Sequence, residues 1–137
     1  MSHFTTVQTK INNLLRLELV LKELGFAFSK AEEGQEVHVK GYLGQKAKAK
    51  LSIHASKTYD IGVNIDATTG NATFVADWEF VEMTAGYSQD EFTRKVVQRY
   101  AYHTVKEEVT KRGYTLEEEK VDEHQQIHLK VSSWGDD

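Results

Sequence analysis

Residues 46–54 read Lys-Ala-Lys-Ala-Lys-Leu-Ser-Ile-His, and this run decides the fold that we expect. Successive side chains of a β-strand point to opposite faces of its sheet, so a strict alternation separates two sets of residues. The polar set is Lys46, Lys48, Lys50, Ser52 and His54, and the apolar set is Ala47, Ala49, Leu51 and Ile53. The run therefore predicts an antiparallel sheet with one apolar face and one cationic face turned to water.

A first helix is predicted before this run. Asn12 or Asn13 can cap its start, and Gly25 supplies the stop. Its apolar stripe is wide, and the members are Leu14, Leu15, Leu17, Leu19, Val20, Leu21 and Leu24. A stripe of this width is covered either by the core or by a partner, and we expect burial in the core.

A second, longer helix is predicted after the run. Ser88 and Glu91 form a capping box at its start, and the helix continues to Arg112 with Gly113 as its stop. Its buried stripe is expected to contain Phe92, Val96, Val97, Tyr100, Ala101 and Val105.

The remaining periodic segments predict further strands. They cover residues 4–8, 26–29, 37–42, 60–66, 72–80, 114–121 and 125–131. We expect an α+β fold in which an antiparallel β-sheet has two α-helices packed on one face. Residues 1–137 form a single domain, with a loose tail at 132–137. The two ends share a helix, a Gly-aromatic joint and a hairpin, which favours either pseudo-duplicated β-α-β-β halves or simply similar helix caps.

Acidic residues gather near the central hairpin of residues 60–80. A turn centred on Thr69 and Gly70 places Ile61 opposite Trp78, and the same register places Asp60 opposite Glu79. Gly62 then lies opposite Asp77. Two close carboxylates can share protons or bind a divalent cation, so a small enzyme or cation binder is an alternative function; an exposed polar face is the other interpretation.

The composition excludes several kinds of site. The chain of 137 residues has no cysteine, which excludes disulfides, thiolate nucleophiles and zinc-thiolate centres. It has no apolar run near the ~20 residues that cross a bilayer and no secretion signal, so we expect an intracellular protein. His124 and His128 would lie ~13 Å apart on a strand, too far for one zinc ion. No catalytic residue, metal site or cofactor is predicted.

Cationic side chains are the best functional lead. Between residues 38 and 57 the chain has five lysines and no acid, although its net charge is −4. The predicted partner-binding residues are Lys40, Lys46, Lys48, Lys50 and His54, with a second stripe of Lys95, Arg99, Tyr102 and Lys106 on the long helix. A solvated surface is the plain alternative for both groups. We expect docking of an acidic protein, and rank nucleic-acid binding third because no RNA-binding signature is present.

Three segments resemble a known family. They are Met-Ser-His-Phe-Thr-Thr-Val-Gln-Thr-Lys-Ile at the start, Leu-Lys-Glu-Leu-Gly-Phe at 21–26 and Val-Lys-Gly-Tyr at 39–42. The chain is similar to an uncharacterised conserved open-reading-frame family of cyanobacteria and algal plastid genomes. The resemblance implies the cyanobacterial cytoplasm or the plastid stroma and an accessory role. Family context alone suggests a ferredoxin-type protein or an ATPase as the acidic partner, and it supplies no catalytic residue.

Overall fold

A computed structural model of the chain describes residues 3–124 and 126–133. These residues form an α+β fold. The strands are β1 (Thr5–Gln8), β2 (Phe28–Lys30), β3 (Val37–Lys40), β4 (Lys46–Ala49), β5 (Leu51–Ile53), β6 (Ile61–Ile65), β7 (Ala72–Ala76), β8 (Tyr114–Val121) and β9 (Ile127–Ser133). The helices are α1 (Leu14–Glu23), α2 (Trp78–Ala85) and α3 (Gln89–Lys111).

A five-stranded antiparallel sheet forms the centre of the molecule, with the strand order β1-β7-β6-β5-β2. The first two strands of the chain therefore lie at its opposite edges. The hairpins β3–β4 and β8–β9 each form a separate two-stranded sheet. The prediction of one sheet is wrong in this respect, because the strands divide among three sheets.

Helices α1 and α3 pack on one face of the five-stranded sheet, as predicted. Leu17 and Leu21 of α1 join Phe92 and Val96 of α3 in one buried cluster with sheet residues such as Phe74. The rings of Phe74 and Phe92 meet edge to face, with their centroids 5.3 Å apart. The burial of this apolar cluster is the main contribution to stability in a chain without disulfides.

The helix termini follow the local sequence signals. The Asn13 side chain accepts a hydrogen bond from the Arg16 N–H at 3.0 Å, and Ser88 forms the predicted capping box with Glu91. Gly25 and Gly113 follow their helices with positive φ angles of 87° and 79°. Both predicted helices are thus confirmed to within about one residue at each end.

The hairpin β3–β4 covers the other face of the central sheet. Val39 and Ala49 are fully buried, and a Cβ built at Gly62 of β6 would lie 2.5 Å from Val39 Cγ2. The same Cβ would lie 3.0 Å from the Ala49 Cβ. Glycine at position 62 therefore lets the hairpin approach the sheet closely, which gives the molecule three layers.

The predicted register of β6 and β7 is wrong by two residues. Ile61 pairs with Ala76, rather than with Trp78, and Gly62 pairs with Val75. The Asp66 side chain accepts the N–H groups of Thr68 and Thr69, which centres the turn one residue earlier than expected. A shift of two residues leaves every side chain on its original face, so alternation alone does not detect it.

Residues 77–80 do not continue β7. The Asp77 carbonyl accepts the N–H groups of Phe80 and Val81, and this starts α2. The predicted pairing of Asp60 with Glu79 is therefore wrong, because Glu79 belongs to a helix.

The part of α3 that carries Val97, Ala101 and Val105 extends beyond the core. Val97 and Val105, predicted as buried, are 39% and 42% exposed, and Ala101 is also exposed. The hairpin β8–β9 packs against this part of α3. The predicted hairpin exists, and Ser132 and Ser133 belong to β9 rather than to a tail, while residues 134–137 lie outside the described residues.

Candidate functional site

The outer side of the β3–β4 hairpin carries the predicted cations. Lys40 pairs with Lys46, and His38 pairs with Lys48, so four basic side chains stand next to one another. All four are exposed, while the intervening Val39 and Ala49 are buried against the sheet. The predicted hairpin and its cationic side are confirmed. We call these four residues the lysine face.

No salt bridge is formed by the lysine face within the described part of the chain. Among the side chains that the structure describes, no carboxylate lies within 4.0 Å of the ammonium groups of Lys40, Lys46 or Lys48. Lys40 Nζ donates instead to the Lys57 carbonyl at 3.3 Å. Like charges on neighbouring strands repel one another, so this arrangement favours the approach of an anionic surface.

The lysine face ends at Lys50, which corrects the prediction of one continuous cationic strand. The chain bends at Lys50 between β4 and β5, where the Lys50 N–H donates to the Val63 carbonyl. Beyond the bend Ser52 is 1% exposed. Lys50 is itself exposed, but it lies outside the β3–β4 pairing, so the lysine face contains only two of the three alternating lysines.

Leu43 stands at the tip of the same hairpin. Residues Tyr42–Gly44 form one turn of 3-10 helix between β3 and β4, and Leu43 within it has φ 56° and ψ 36°. Its side chain is 80% exposed. A leucine in the left-handed region is strained and here has no packing to offset the strain, a combination typical of functional loops. In the sequence, this site is marked by two apolar residues, Tyr42 and Leu43, between Gly41 and Gly44, and Leu43 was not among the predicted binding residues.

Two buried aspartates fasten this hairpin to the sheet. Asp60 and Asp77 are each 1% exposed. Asp60 Oδ2 accepts the Lys40 N–H at 2.9 Å, and Asp77 Oδ2 accepts the Tyr42 N–H at 3.2 Å. A buried carboxylate needs such donors, so these groups primarily position the backbone of the hairpin.

His54 does not belong to the lysine face. Its Nδ1 lies 3.1 Å from Asp60 Oδ1, and its Nε2 lies 2.9 Å from Ser29 Oγ. The structure therefore places His54 outside the expected cationic face, because its ring is held between a buried carboxylate and a hydroxyl. Ser29 had no signal in the sequence, since the diagonal contact between β2 and β5 depends on the strand register.

The stripe on α3 divides into two parts. Lys95 and Lys106 are exposed, but Tyr102 is only 7% exposed and Arg99 forms an ion pair with Glu23 of α1. The Arg99 guanidinium lies 4.2 Å from the centroid of the Tyr102 ring. The expected exposed stripe is therefore interrupted, because Tyr102 is buried and Arg99 is bound to α1 through Glu23. The lysine face and α3 also lie on opposite sides of the central sheet.

Glu23 holds a second basic group of α3. His103 Nε2 lies 2.5 Å from Glu23 Oε2. Partial burial disfavours the charged form of Glu23, but hydrogen bonds from His103 and Arg99 outweigh it and lower the pKa of this carboxyl below its ordinary value. The pair of contacts ties the end of α1 to the middle of α3.

An apolar ridge on α1 was predicted to be buried and is not. Leu15 is 73% exposed and Leu19 is 50% exposed, whereas Val20 is buried. The two leucines line a shallow groove with Lys106 and Lys111 of α3. The stripe of α1 is wider than the part of the helix that the core covers.

The described residues do not form a cluster of side chains that could bind a metal ion together. Within residues 3–124 and 126–133, no group of three or more His, Asp or Glu side chains is placed to hold a metal ion. His128 Nε2 lies 2.7 Å from Asp122 Oδ2, and the hydrogen bond from His128 lowers the pKa of Asp122.

Residues 20–130 match the family model described as "Protein of unknown function (DUF1257)". The chain belongs to this family. Two relatives of this DUF1257 chain bear the name "Uncharacterized protein ycf35". The relative from Guillardia theta is 29% identical over 134 residues, covering 98% of each chain, and that from Pyropia yezoensis is 28% identical over 135 residues, covering 98% of this chain and 99% of the relative. No solved structure matches.

These comparisons confirm the resemblance to an uncharacterised conserved family with members in algal plastid genomes. Within the described part of this DUF1257 chain, no helix is long and apolar enough to cross a membrane.

Proposed function

We propose that this chain is a binding or accessory protein that docks an acidic protein partner on the lysine face. The observation that carries this proposal is the set of four adjacent basic side chains with no carboxylate partner among the described side chains. Charges in this arrangement steer an anionic surface and fix its orientation. The relatives favour the plastid stroma or the cytoplasm of a photosynthetic organism as the place of action.

Leu43 supplies the apolar contact that such a complex needs. It projects from the hairpin tip beside Lys40 and Lys46, with which it lines a shallow depression. Binding energy in protein interfaces concentrates in a few desolvated apolar or aromatic side chains, while surrounding charges contribute mainly to specificity and association rate. The hairpin therefore combines an apolar anchor with a cationic rim.

A protein partner fits this surface better than nucleic acid. Single-stranded nucleic acids bind on aromatic rings that offer a free face for base stacking. The ring of Tyr42 is the aromatic group nearest the hairpin tip, and it stacks on Phe80 with a centroid distance of 4.2 Å. Phe80 also contacts Tyr59 at 5.5 Å, so one face of the Tyr42 ring is already covered by this aromatic cluster.

The test is a reversal of charge on the hairpin. The variant Lys46→Glu/Lys48→Glu and the matched control Lys95→Glu/Lys106→Glu change the same number of lysines on opposite sides of the sheet. Each tagged protein is used to capture partners from a native lysate of a photosynthetic organism at low and moderate salt. Captured proteins are identified by mass spectrometry and remeasured as purified pairs.

We expect the wild type and the control to retain an acidic partner that the hairpin variant loses. Wild-type binding should weaken at moderate salt, where the Debye length falls to about 8 Å. Thermal unfolding of both variants should match the wild type, since all four lysines are exposed. Equal capture by the hairpin variant and the wild type would contradict the proposal.

A further inference from the structure

Ser29, His54 and Asp60 form a continuous chain of hydrogen bonds on the sheet. His54 Nε2 lies 2.9 Å from Ser29 Oγ, and His54 Nδ1 lies 3.1 Å from Asp60 Oδ1. An ionised carboxylate only accepts hydrogen bonds, so the tautomer that satisfies both contacts carries its proton on Nδ1. Nε2 is then the acceptor for the hydroxyl proton of Ser29, which is the relation between a nucleophile and its general base.

Exposure to solvent increases along this chain from Asp60 through His54 to Ser29. Asp60 is 1% exposed, the His54 side chain is 40% exposed, and Ser29 is exposed on the edge strand β2. The charged member is thus withdrawn from water, while the hydroxyl opens to solvent. A buried carboxylate stabilises the imidazolium that forms when the ring takes up the serine proton.

The backbone holds Asp60 in place independently of His54. Asp60 Oδ2 accepts the Lys40 N–H at 2.9 Å, and the Asp60 N–H donates to the Lys40 carbonyl at 3.1 Å. These two bonds join the side chain and the backbone of Asp60 to Lys40 of β3. Asp60 is therefore a positioning residue whose orientation does not depend on the ring that it serves.

The open edge of β2 supplies a donor for developing negative charge. The Ala31 N–H donates to the Lys50 carbonyl and the His54 N–H donates to the Ala27 carbonyl, so the odd-numbered residues of β2 face β5. The N–H of Lys30 consequently points away from β5, and β2 is the last strand of its sheet. The Lys30 N–H follows Ser29 directly in the chain. It is available to donate to an oxyanion that forms when Ser29 Oγ attacks a carbonyl group.

The geometry points to Ser29 as an activated nucleophile for acyl esters or thioesters that approach from solvent, with His54 as its general base. In the step, Ser29 Oγ bonds to the acyl carbon, His54 takes the hydroxyl proton, and the bond to the leaving oxygen or sulfur breaks as His54 returns that proton. Water repeats the sequence on the acyl-serine and releases a carboxylic acid. This activity is independent of partner docking on the lysine face.

The edge position of Ser29 determines the class of substrate. Ser29 lies on an outer strand of the sheet and is exposed, so the acyl group is one presented on a flexible chain or a small molecule rather than one enclosed by the protein. The probes are therefore a fluorophosphonate, which labels activated serines, and p-nitrophenyl acetate, which transfers a small acetyl group.

The full chain is treated with each probe, and the modified residue is found by peptide mass spectrometry. We expect modification of Ser29, abolished in Ser29→Ala and slowed at least about 100-fold in His54→Gln, the range that general-base assistance supplies. The control is His124→Gln, which changes an exposed histidine outside both proposed sites and should label like the wild type. Both altered site residues are at the surface, and circular dichroism checks that the variants fold.

Three outcomes overturn the inference. If Ser29 of the wild type stays unmodified, its hydroxyl is not activated. If the probes modify lysines only, the reaction reflects the ordinary reactivity of amines. Ser29 that reacts equally fast in His54→Gln is not served by the histidine. The reactivity of Ser29 is measured on the purified chain without a partner, which separates this result from the test of partner docking.

Discussion

Leu43 has a backbone conformation that is unfavourable for leucine and a side chain that is exposed at the proposed binding surface. Its φ of 56° brings its Cβ close to the following carbonyl, a conformation that costs roughly 1–2 kcal/mol for an L-residue. Buried packing does not offset this cost, because the side chain is 80% exposed. Such an arrangement persists where the neighbouring structure fixes it, here through the Gly41 N–H bond to the Gln45 carbonyl.

Replacement of Leu43 by Asn should separate binding from stability. Asn adopts the left-handed conformation more readily than Leu, so we expect Leu43→Asn to unfold in urea at the same or a higher concentration. Loss of the apolar anchor should weaken partner capture at least tenfold. Destabilisation together with full binding would contradict the role proposed for this side chain.

At the scale of elements, the contact between the β3–β4 hairpin and the central sheet decides where the lysine face lies. Gly62 is the point of closest approach, since a Cβ there would lie 2.5 Å from Val39 Cγ2 and 2.9 Å from Val75 Cγ1. The buried Asp60 and Asp77 fix the end of β3 by bonds to backbone N–H groups. The centre of the hairpin is therefore held by close packing against Gly62, and the end of β3 is held by hydrogen bonds to Asp60 and Asp77.

Gly62→Ala should destabilise the fold by about 1–3 kcal/mol, because the added methyl group overpacks a filled interface. The double variant Gly62→Ala/Val39→Ala removes the nearest clashing atoms, so its cost should be smaller than the sum of the single costs. Urea unfolding of the four proteins measures this coupling. Additivity within about 0.5 kcal/mol would show that the hairpin does not press on Gly62.

At the scale of the whole molecule, the long helix α3 connects regions that the central sheet does not. Its first half joins the core through Phe92 and Val96, and Arg99 and His103 bind Glu23 of α1. Its last turns carry the β8–β9 hairpin. Since α3 and the lysine face lie on opposite sides of the sheet, one flat partner surface does not cover both sets of cations.

The α1–α3 tie should give a defined dependence of stability on pH. The pKa of Glu23 is below its ordinary value of 4.5 in the folded state, so its charge stabilises the fold above that value. This contribution disappears as the pH falls through the lowered pKa. We expect Glu23→Gln to cost up to about 1 kcal/mol at neutral pH and less at acidic pH, once the pH has fallen through the lowered pKa of Glu23, measured by urea unfolding.

The exposed Glu33→Gln is the matched control and should change stability little at either pH. A deficit of Glu23→Gln that persists at low pH would show that the variant loses packing rather than charge.

Much of this fold was predictable because its signals are local. The Ser88 capping box, the glycine that follows each long helix and the alternation from Lys46 to Ala49 depend on neighbouring residues. The start of α2 was missed because Trp78 and Phe80 alternate like a strand, while Trp78 and Val81 also satisfy helical spacing. The hydrogen bonds of Asp77 decide between the two patterns, and these depend on the fold.

The candidate sites were less predictable for the same physical reason. The contact of Ser29 with His54 joins residues 25 positions apart, and the Asp60 carboxylate is bonded to Lys40 of β3, 20 positions away. The ion pairs of Glu23 with Arg99 and His103 span still longer separations. A cationic pattern in sequence identifies charge, but only the packed structure shows which charges are already paired.

The placement of β1 affects how the chain folds during its synthesis on the ribosome. Thr5–Gln8 pairs only with Ala72–Ala76 in the described sheet, so β1 finds its partner only after the residues up to Ala76 have been synthesised. Until then the nascent chain exposes an unpaired strand and the apolar side of α1. The synthesis of β7 is thus the step that allows β1 to join the central sheet.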